Sequence, residues 1–140
     1  MERKWVDRVE LVGSCYRLMV EWKGGWPEVR DWCNREGGQL LVIDNEVEHD
    51  IICELIGNQE KMFWLGFWHW RDWLLVNQNE ETLHEVGYQK WSPLQEYDGW
   101  YWWYRGLVLK PDDCMYDQRP STWYYYGICE KHISLSKIPM

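Results

Sequence analysis

Five cysteines and four histidines are the side chains of this 140-residue sequence best suited to covalent, redox or metal chemistry. Cys15, Cys33, Cys53, Cys114 and Cys129 are odd in number, so at least one is left out of any set of intrachain disulfides. A Cys/His nucleophilic pair would need a family signature around the thiol, and none surrounds any of the five. His49, His69, His84 and His132 are scattered, without metal-ligand spacing. There is no Walker loop and no dinucleotide fingerprint, and Glu80-Glu81 reads as a solvated loop. The expectation is a protein that is not an enzyme and that needs no cofactor.

Recognition chemistry is better represented. The chain has 13 Trp and 9 Tyr against 2 Phe. Ordinary cores recruit Phe freely, so this bias suggests rings with one wet edge, as at an interface. The rings crowd three segments. Phe67, Trp68, Trp70 and Trp73 flank Arg71; Tyr97, Trp100, Tyr101, Trp102, Trp103 and Tyr104 run up to Arg105; and Tyr124, Tyr125 and Tyr126 are consecutive. Tyr101 to Tyr104 cannot all point inward from one strand, because successive side chains face opposite ways. Exposed aromatic patches on a domain usually mark an interaction site. Tyr and Trp supply rigid contact area at low entropic cost, with Arg71 and Arg105 as polar anchors. Packing is the competing explanation.

Charge and hydropathy narrow the partners. The formal net charge is -8, from 15 Lys+Arg and 23 Asp+Glu. Such a chain repels phosphate backbones and anionic membranes, so no nucleic acid is expected. No apolar run approaches the roughly 18 residues that cross a bilayer, so no membrane insertion is expected. Residues 1–13 lack the apolar core of a signal peptide. No Asn-x-Ser/Thr sequon occurs.

These residues need elements to position them. Residues 4–20 alternate loosely and read as one or two strands, with Gly13-Ser14 as a turn. Pro27 to Glu36 reads as a helix, begun by Pro27 and ended by Gly37, with Val29, Trp32 and Cys33 as its buried stripe. Gln39 to Ile43 is a short strand or extended run. Asn45 is an N-cap with Glu48 as its capping-box partner, opening a second helix whose apolar face is Val47, Ile51, Ile52, Leu55 and Ile56. Gly57-Asn58 stops it. Met62 to Phe67 is a buried strand, Val86 to Trp91 and Asp113 to Tyr116 are weaker ones, and Trp123 to Cys129 is β-prone. Residues 92–112 read as a long loop, and loops of that length are usually functional or disordered. Its aromatic density argues against disorder. The length suits one domain, residues 1–140, with a core over 5–132 and a tail over 133–140.

Six segments in this order resemble the long form of the C-type-lectin-like domain family. They are Gly13 to Leu18; Trp26, Val29, Cys33, Gly37-Gly38, Leu40 and Ile43; Glu46 to Ile56; Trp64-Leu65-Gly66-Phe67; Trp91-Ser92-Pro93; and the pair Asp113 to Tyr116 and Ile128 to Lys131. The resemblance covers nearly the whole chain. It implies an α+β fold, with two helices packed on small antiparallel sheets and a long ligand-binding loop region. It implies that Trp26, Trp64, Trp91 and Trp123 are framework, and that the domain is extracellular or secreted. It also implies a Cys33–Cys129 disulfide, worth roughly 4–5 kcal/mol on the chain-entropy account. Two buried free thiols are the alternative.

The sequence departs from the family in two places that bear on function. The penultimate cysteine is missing, so Cys114 has lost its family partner, Cys15 lacks one as well, and Cys53 reads as a small buried apolar residue. The calcium motif is degenerate. Glu96-Tyr97-Asp98 stands where a Glu/Gln-Pro-Asn/Asp triplet is expected, Asp112 matches a third ligand, and Tyr124-Tyr125 replaces an Asn-Asp pair after Trp123. Calcium takes six to eight oxygens and phenols are poor substitutes, so Glu96, Asp98 and Asp112 are either a calcium remnant or a solvated acidic loop.

The functional expectation is a recognition module, calcium-independent, that binds a protein through the aromatic long-loop face. A glycan ligand, held by calcium or by ring stacking, is the first alternative. A hypervariable receptor-binding protein of a diversity-generating system, or an engineered binder, is the second. A homodimer or larger assembly, with Cys15 or Cys114 in an interchain disulfide, is the third.

Overall fold

The structure, a computed structural model, describes residues 14–71, 74–93 and 104–132 together with the pair Val6–Asp7; at positions 6, 7, 70 and 71 it describes the backbone alone. Strands β1 (Val6–Asp7) and β2 (Ser14–Gly24) lead into helix α1 (Trp26–Arg35). β3 (Gln39–Leu40) and helix α2 (Glu46–Ile56) follow, then β4 (Phe63–Arg71), β5 (Leu74–Val76) and the short helix α3 (Leu83–Val86). β6 (Arg105–Leu109), β7 (Tyr116–Pro120) and β8 (Tyr125–His132) complete the described chain.

The two longer helices begin and end for local reasons. Glu28 reaches back to accept the Gly25 amide at 2.9 Å, and Pro27 sits in the first turn of α1, where its missing N–H costs nothing. Gly37 then takes φ 86°, a left-handed geometry that favours glycine, and Gly38 N–H closes on the Cys33 carbonyl. In α2 the Asn45 side chain accepts the Glu48 amide at 2.9 Å. The reciprocal half of that capping box is absent: the Glu48 carboxylate accepts from the Asp44 amide and the Tyr16 hydroxyl instead. Val47 is exposed rather than apolar-facing, and the buried face of α2 is Glu48, His49, Ile52 and Ile56.

Among the described residues the strands form one sheet in the order β1-β2-β8-β4-β6-β7, with β3 on β8 and β5 on β4. The small antiparallel sheets expected are thus joined, through a single parallel pairing of β4 with β8. Three expectations along the chain need correction. The strand expected over 113–116 begins only at its last residue, as β7. The 92–112 stretch is not all loop, because Arg105–Leu109 is a central strand, four of whose five residues are buried. The strand expected over 86–91 is absent; Leu83–Val86 is helical, because Thr82 and Glu85 form a reciprocal cap around it.

Period-2 alternation divides the core into two clusters. Phe63, Leu65 and Phe67 of β4 and Leu107 and Leu109 of β6 join Ile52 and Ile56 of α2. Trp64 and Val108, from the intervening positions, join Trp26, Val29 and Cys33 of α1. Glycines let this second cluster close. A Cβ at Gly106 would stand 2.7 Å from Trp64 and 2.9 Å from Trp26, and one at Gly127 would stand 2.3 Å from Val29. Cys33 and Cys129 form the disulfide that the resemblance implies, tying α1 to β8.

Candidate ligand-binding face and a second side-chain cluster

The start of β6 and the turn between β7 and β8 lie side by side. Ser121 N–H donates to the Tyr104 carbonyl at 2.8 Å, and Trp26 N–H donates to the Ser121 carbonyl at 2.8 Å. Tyr104, Trp123 and Tyr124 project from this junction and are 63%, 43% and 63% exposed. Trp123 is therefore not the framework tryptophan expected. The turn that carries it ends β7 at Pro120, and Trp123 N–H bonds back to the Pro120 carbonyl, leaving the ring outside the core.

The neighbouring candidates are held by packing. Trp68 stacks on the buried Trp26 with ring centroids 4.5 Å apart and 10° between planes, and the Arg30 guanidinium lies over both rings at 5.4 and 5.2 Å. Tyr125 meets Trp64 edge-on at 5.1 Å. Tyr126 packs against Phe63, flanked by the ammonium groups of Lys23 and Lys61. Trp68, Tyr125 and Tyr126 thus combine half-buried framework contacts with an accessible edge. Arg105 pairs with Pro120 in the ladder and lines a cavity of about 470 Å³ with Gln118, Gln89, Trp91 and Leu83. Tyr97, Trp100, Tyr101, Trp102, Trp103 and Trp73 lie outside the described residues, as do the side chains of Trp70 and Arg71.

The described residues do not make a calcium site. Asp112 is exposed; its Oδ1 accepts the Asp113 amide at 3.0 Å and its Oδ2 lies 3.8 Å from the buried Lys110 ammonium. Asp113 accepts from Ser92 Oγ and the Met115 amide. Tyr124 and Tyr125 offer phenols, and the Tyr125 ring is turned onto Trp64. This donor set falls short of the six to eight oxygens calcium takes. Glu96 and Asp98 lie outside the described residues.

A second cluster was not anticipated. Cys53 and Cys114 are joined in a disulfide, correcting both the reading of Cys53 as an apolar filler and that of Cys114 as partnerless or interchain. Cys15 belongs to neither bond. His49 stands beside the pair, with Nε2 2.6 Å from the Cys114 carbonyl and Nδ1 2.6 Å from Tyr88 Oη. Tyr88 donates to Glu46, which also accepts from Lys90 at 2.7 Å. The Lys90 and Tyr88 bonds hold the Glu46 carboxyl below its ordinary range, and the Glu46 bond raises Lys90. One signal was present in the sequence: His49 and Cys53 are four apart, which puts them on one helix face.

A sequence model described as the Lectin C-type domain matches residues 23–131. C-type lectin domain family 10 member A of Rattus norvegicus is 29% identical over 99 residues, covering 66% of this chain and 28% of that protein. C-type mannose receptor 2 of Mus musculus is 30% identical over 83 residues, 59% of this chain and 5% of the receptor. The chain thus spans well under a third of these curated relatives. Among solved structures, the mouse scavenger receptor C-type lectin carbohydrate-recognition domain superposes with a TM-score of 0.78 at 16% identity, covering 96% of this chain and 99% of that one. A calcium-independent type II antifreeze protein superposes at 0.75 and 16%, covering 94% of each. At such identities the likeness shows the fold alone.

Proposed function

Because the chain belongs to the C-type lectin domain family and is, as such, a recognition module, we propose that it binds a protein ligand, without calcium, through the aromatic face around Tyr104, Trp123 and Tyr124. The observation that carries this reading is the pair of phenols at 124 and 125. They stand where the family places calcium-binding Asn and Asp, and one of them, Tyr124, is 63% exposed beside two other accessible rings. Exposed Trp and Tyr are the side chains that most often anchor protein interfaces. Trp68, Trp70, Arg71, Trp73, Tyr97, Trp100, Tyr101, Trp102, Trp103, Arg105, Tyr125 and Tyr126 complete the proposed contact set. The domain works outside the cell in this reading.

A glycan ligand is the second reading. Its support is that similar folds include the C-type lectin domain of murine dendritic cell inhibitory receptor 2 in complex with N-glycan, at a TM-score of 0.76 and 16% identity. A glycan array probed with and without EDTA separates the two. The proposal expects no glycan captured in either condition; calcium-dependent capture of a glycan class would overturn it.

A further inference from the structure

We propose that the Cys53–Cys114 disulfide is one of two states of a built site, and that its reduced state binds a soft divalent cation of the zinc class through His49, Cys53 and Cys114. The three residues come from two elements. His49 and Cys53 lie one turn apart on α2, and Cys114 approaches from the turn between β6 and β7. One ligand atom from each lies within 4.8 Å of the others. That is roughly the span of two metal–ligand bonds of about 2.0–2.3 Å.

Hydrogen bonds already orient the imidazole. Tyr88 gives its hydroxyl proton to Glu46, so its oxygen is left to accept Nδ1–H of His49. Nε2 is then the atom turned towards the Cys114 carbonyl, 2.6 Å away, and towards the cysteine pair. That 2.6 Å gap has room for a proton and not for a metal ion, so a cation takes Nε2 once this hydrogen bond opens. The chain Lys90–Glu46–Tyr88–His49 is the kind of outer support that fixes the tautomer of a metal-ligating histidine.

Exposure makes the switch selective. Cys53 and Cys114 are partly exposed, whereas Cys33 and Cys129 are 0% exposed. A dithiol reductant therefore reaches the first pair before the second. It delivers two electrons and two protons: the S–S bond breaks, two thiols form, and the reductant leaves as its own disulfide. A divalent cation then displaces both thiol protons, forming two S–M bonds and one N–M bond. The dithiolate cancels the ion's charge, and the cross-link between α2 and the β6–β7 turn is restored in another form.

The test uses the folded protein. It is treated with dithiothreitol, which is then removed by gel filtration under argon, and peptide mapping records which pair has opened. Co²⁺ is the probe. The expected result is one equivalent bound, with thiolate-to-cobalt charge-transfer and tetrahedral bands that the oxidised protein lacks and that Zn²⁺ abolishes. C15S should leave these bands unchanged, and H49A or the gentler H49Q, each checked first by circular dichroism, should weaken binding at least about tenfold. An opened pair without cobalt bands overturns the proposal. So do bands lost in C15S, affinity unmoved by both His49 variants, or a pair that stays closed until the whole fold melts.

Discussion

Glu130 accepts the Val42 backbone N–H at 2.9 Å from a position only 1% exposed to solvent. Burial outweighs that bond and pushes the carboxyl up to about 8 from an ordinary 4.5. The fold thus favours the protonated form. The stability this contributes is complete below about pH 4.5 and is lost as pH rises through about 8. Glu48 and Asp44, raised by burial too, act in the same direction. Melting temperature should therefore fall between pH 5 and pH 8, with each unit of displacement worth about 1.4 kcal/mol. E130Q should flatten the slope; a wild-type profile rising over this range contradicts the assignment.

Gly127 and Val29 are predicted to be coupled. A methyl at Gly127 would collide with Val29 in a cluster closed by the Cys33–Cys129 bond. G127A should cost about 1–3 kcal/mol in denaturant unfolding. V29A, which empties the colliding volume, should recover part of that loss in the double variant. Simple additivity would mean that the collision is relieved elsewhere.

The two disulfides should differ modestly in what their removal costs. They span 96 and 61 residues. Chain entropy assigns about 4–5 kcal/mol to each, slightly more to the longer loop. C53S/C114S should thus lower the melting point by about 10 °C or more, at about 3 °C per kcal/mol for this chain length. C33S/C129S should do at least as much. An unchanged melting point for C53S/C114S would show that the bond adds nothing to the fold.

Trp123 and Tyr124 should matter to binding and not to stability. Both rings are exposed at a turn, so W123A and Y124A should leave the unfolding free energy within about 0.5 kcal/mol of wild type. Against a cognate protein recovered by cross-linking, each should weaken affinity by about 1–3 kcal/mol in calorimetry. EDTA should change neither number; a drop in melting point with EDTA would restore calcium to the account.

Legibility tracked how local the cause was. Val29 and Cys33 were readable as buried because helical spacing puts them on one face, whereas Trp32, read onto the same stripe, is half-buried and stacks on Trp22; Asn45 was readable as a cap because the bond is made three residues away. The Cys53–Cys114 bond was hidden, since nothing local says that the β6–β7 turn folds back onto α2. Family position misled at Trp123, where a shortened segment before Cys129 turns the ring outward. Trp68 shows the limit of counting rings: clustering marked it as surface, while its stacking on Trp26 depends on where α1 comes to rest.

Ser14 and His132 are paired across β2 and β8, with Ser14 Oγ 2.9 Å from His132 Nδ1. β2 begins and β8 ends at this one point of the sheet, which gives the fold a particular mechanical character. Tension applied at that point would unzip the β2–β8 ladder one rung at a time instead of shearing it. The unzipping would then meet the Cys33–Cys129 bond, so only the segments outside that covalent loop could lengthen. The helix α2, the β6–β7 hairpin and the cavity beside Arg105 all lie inside the loop and would carry none of the load.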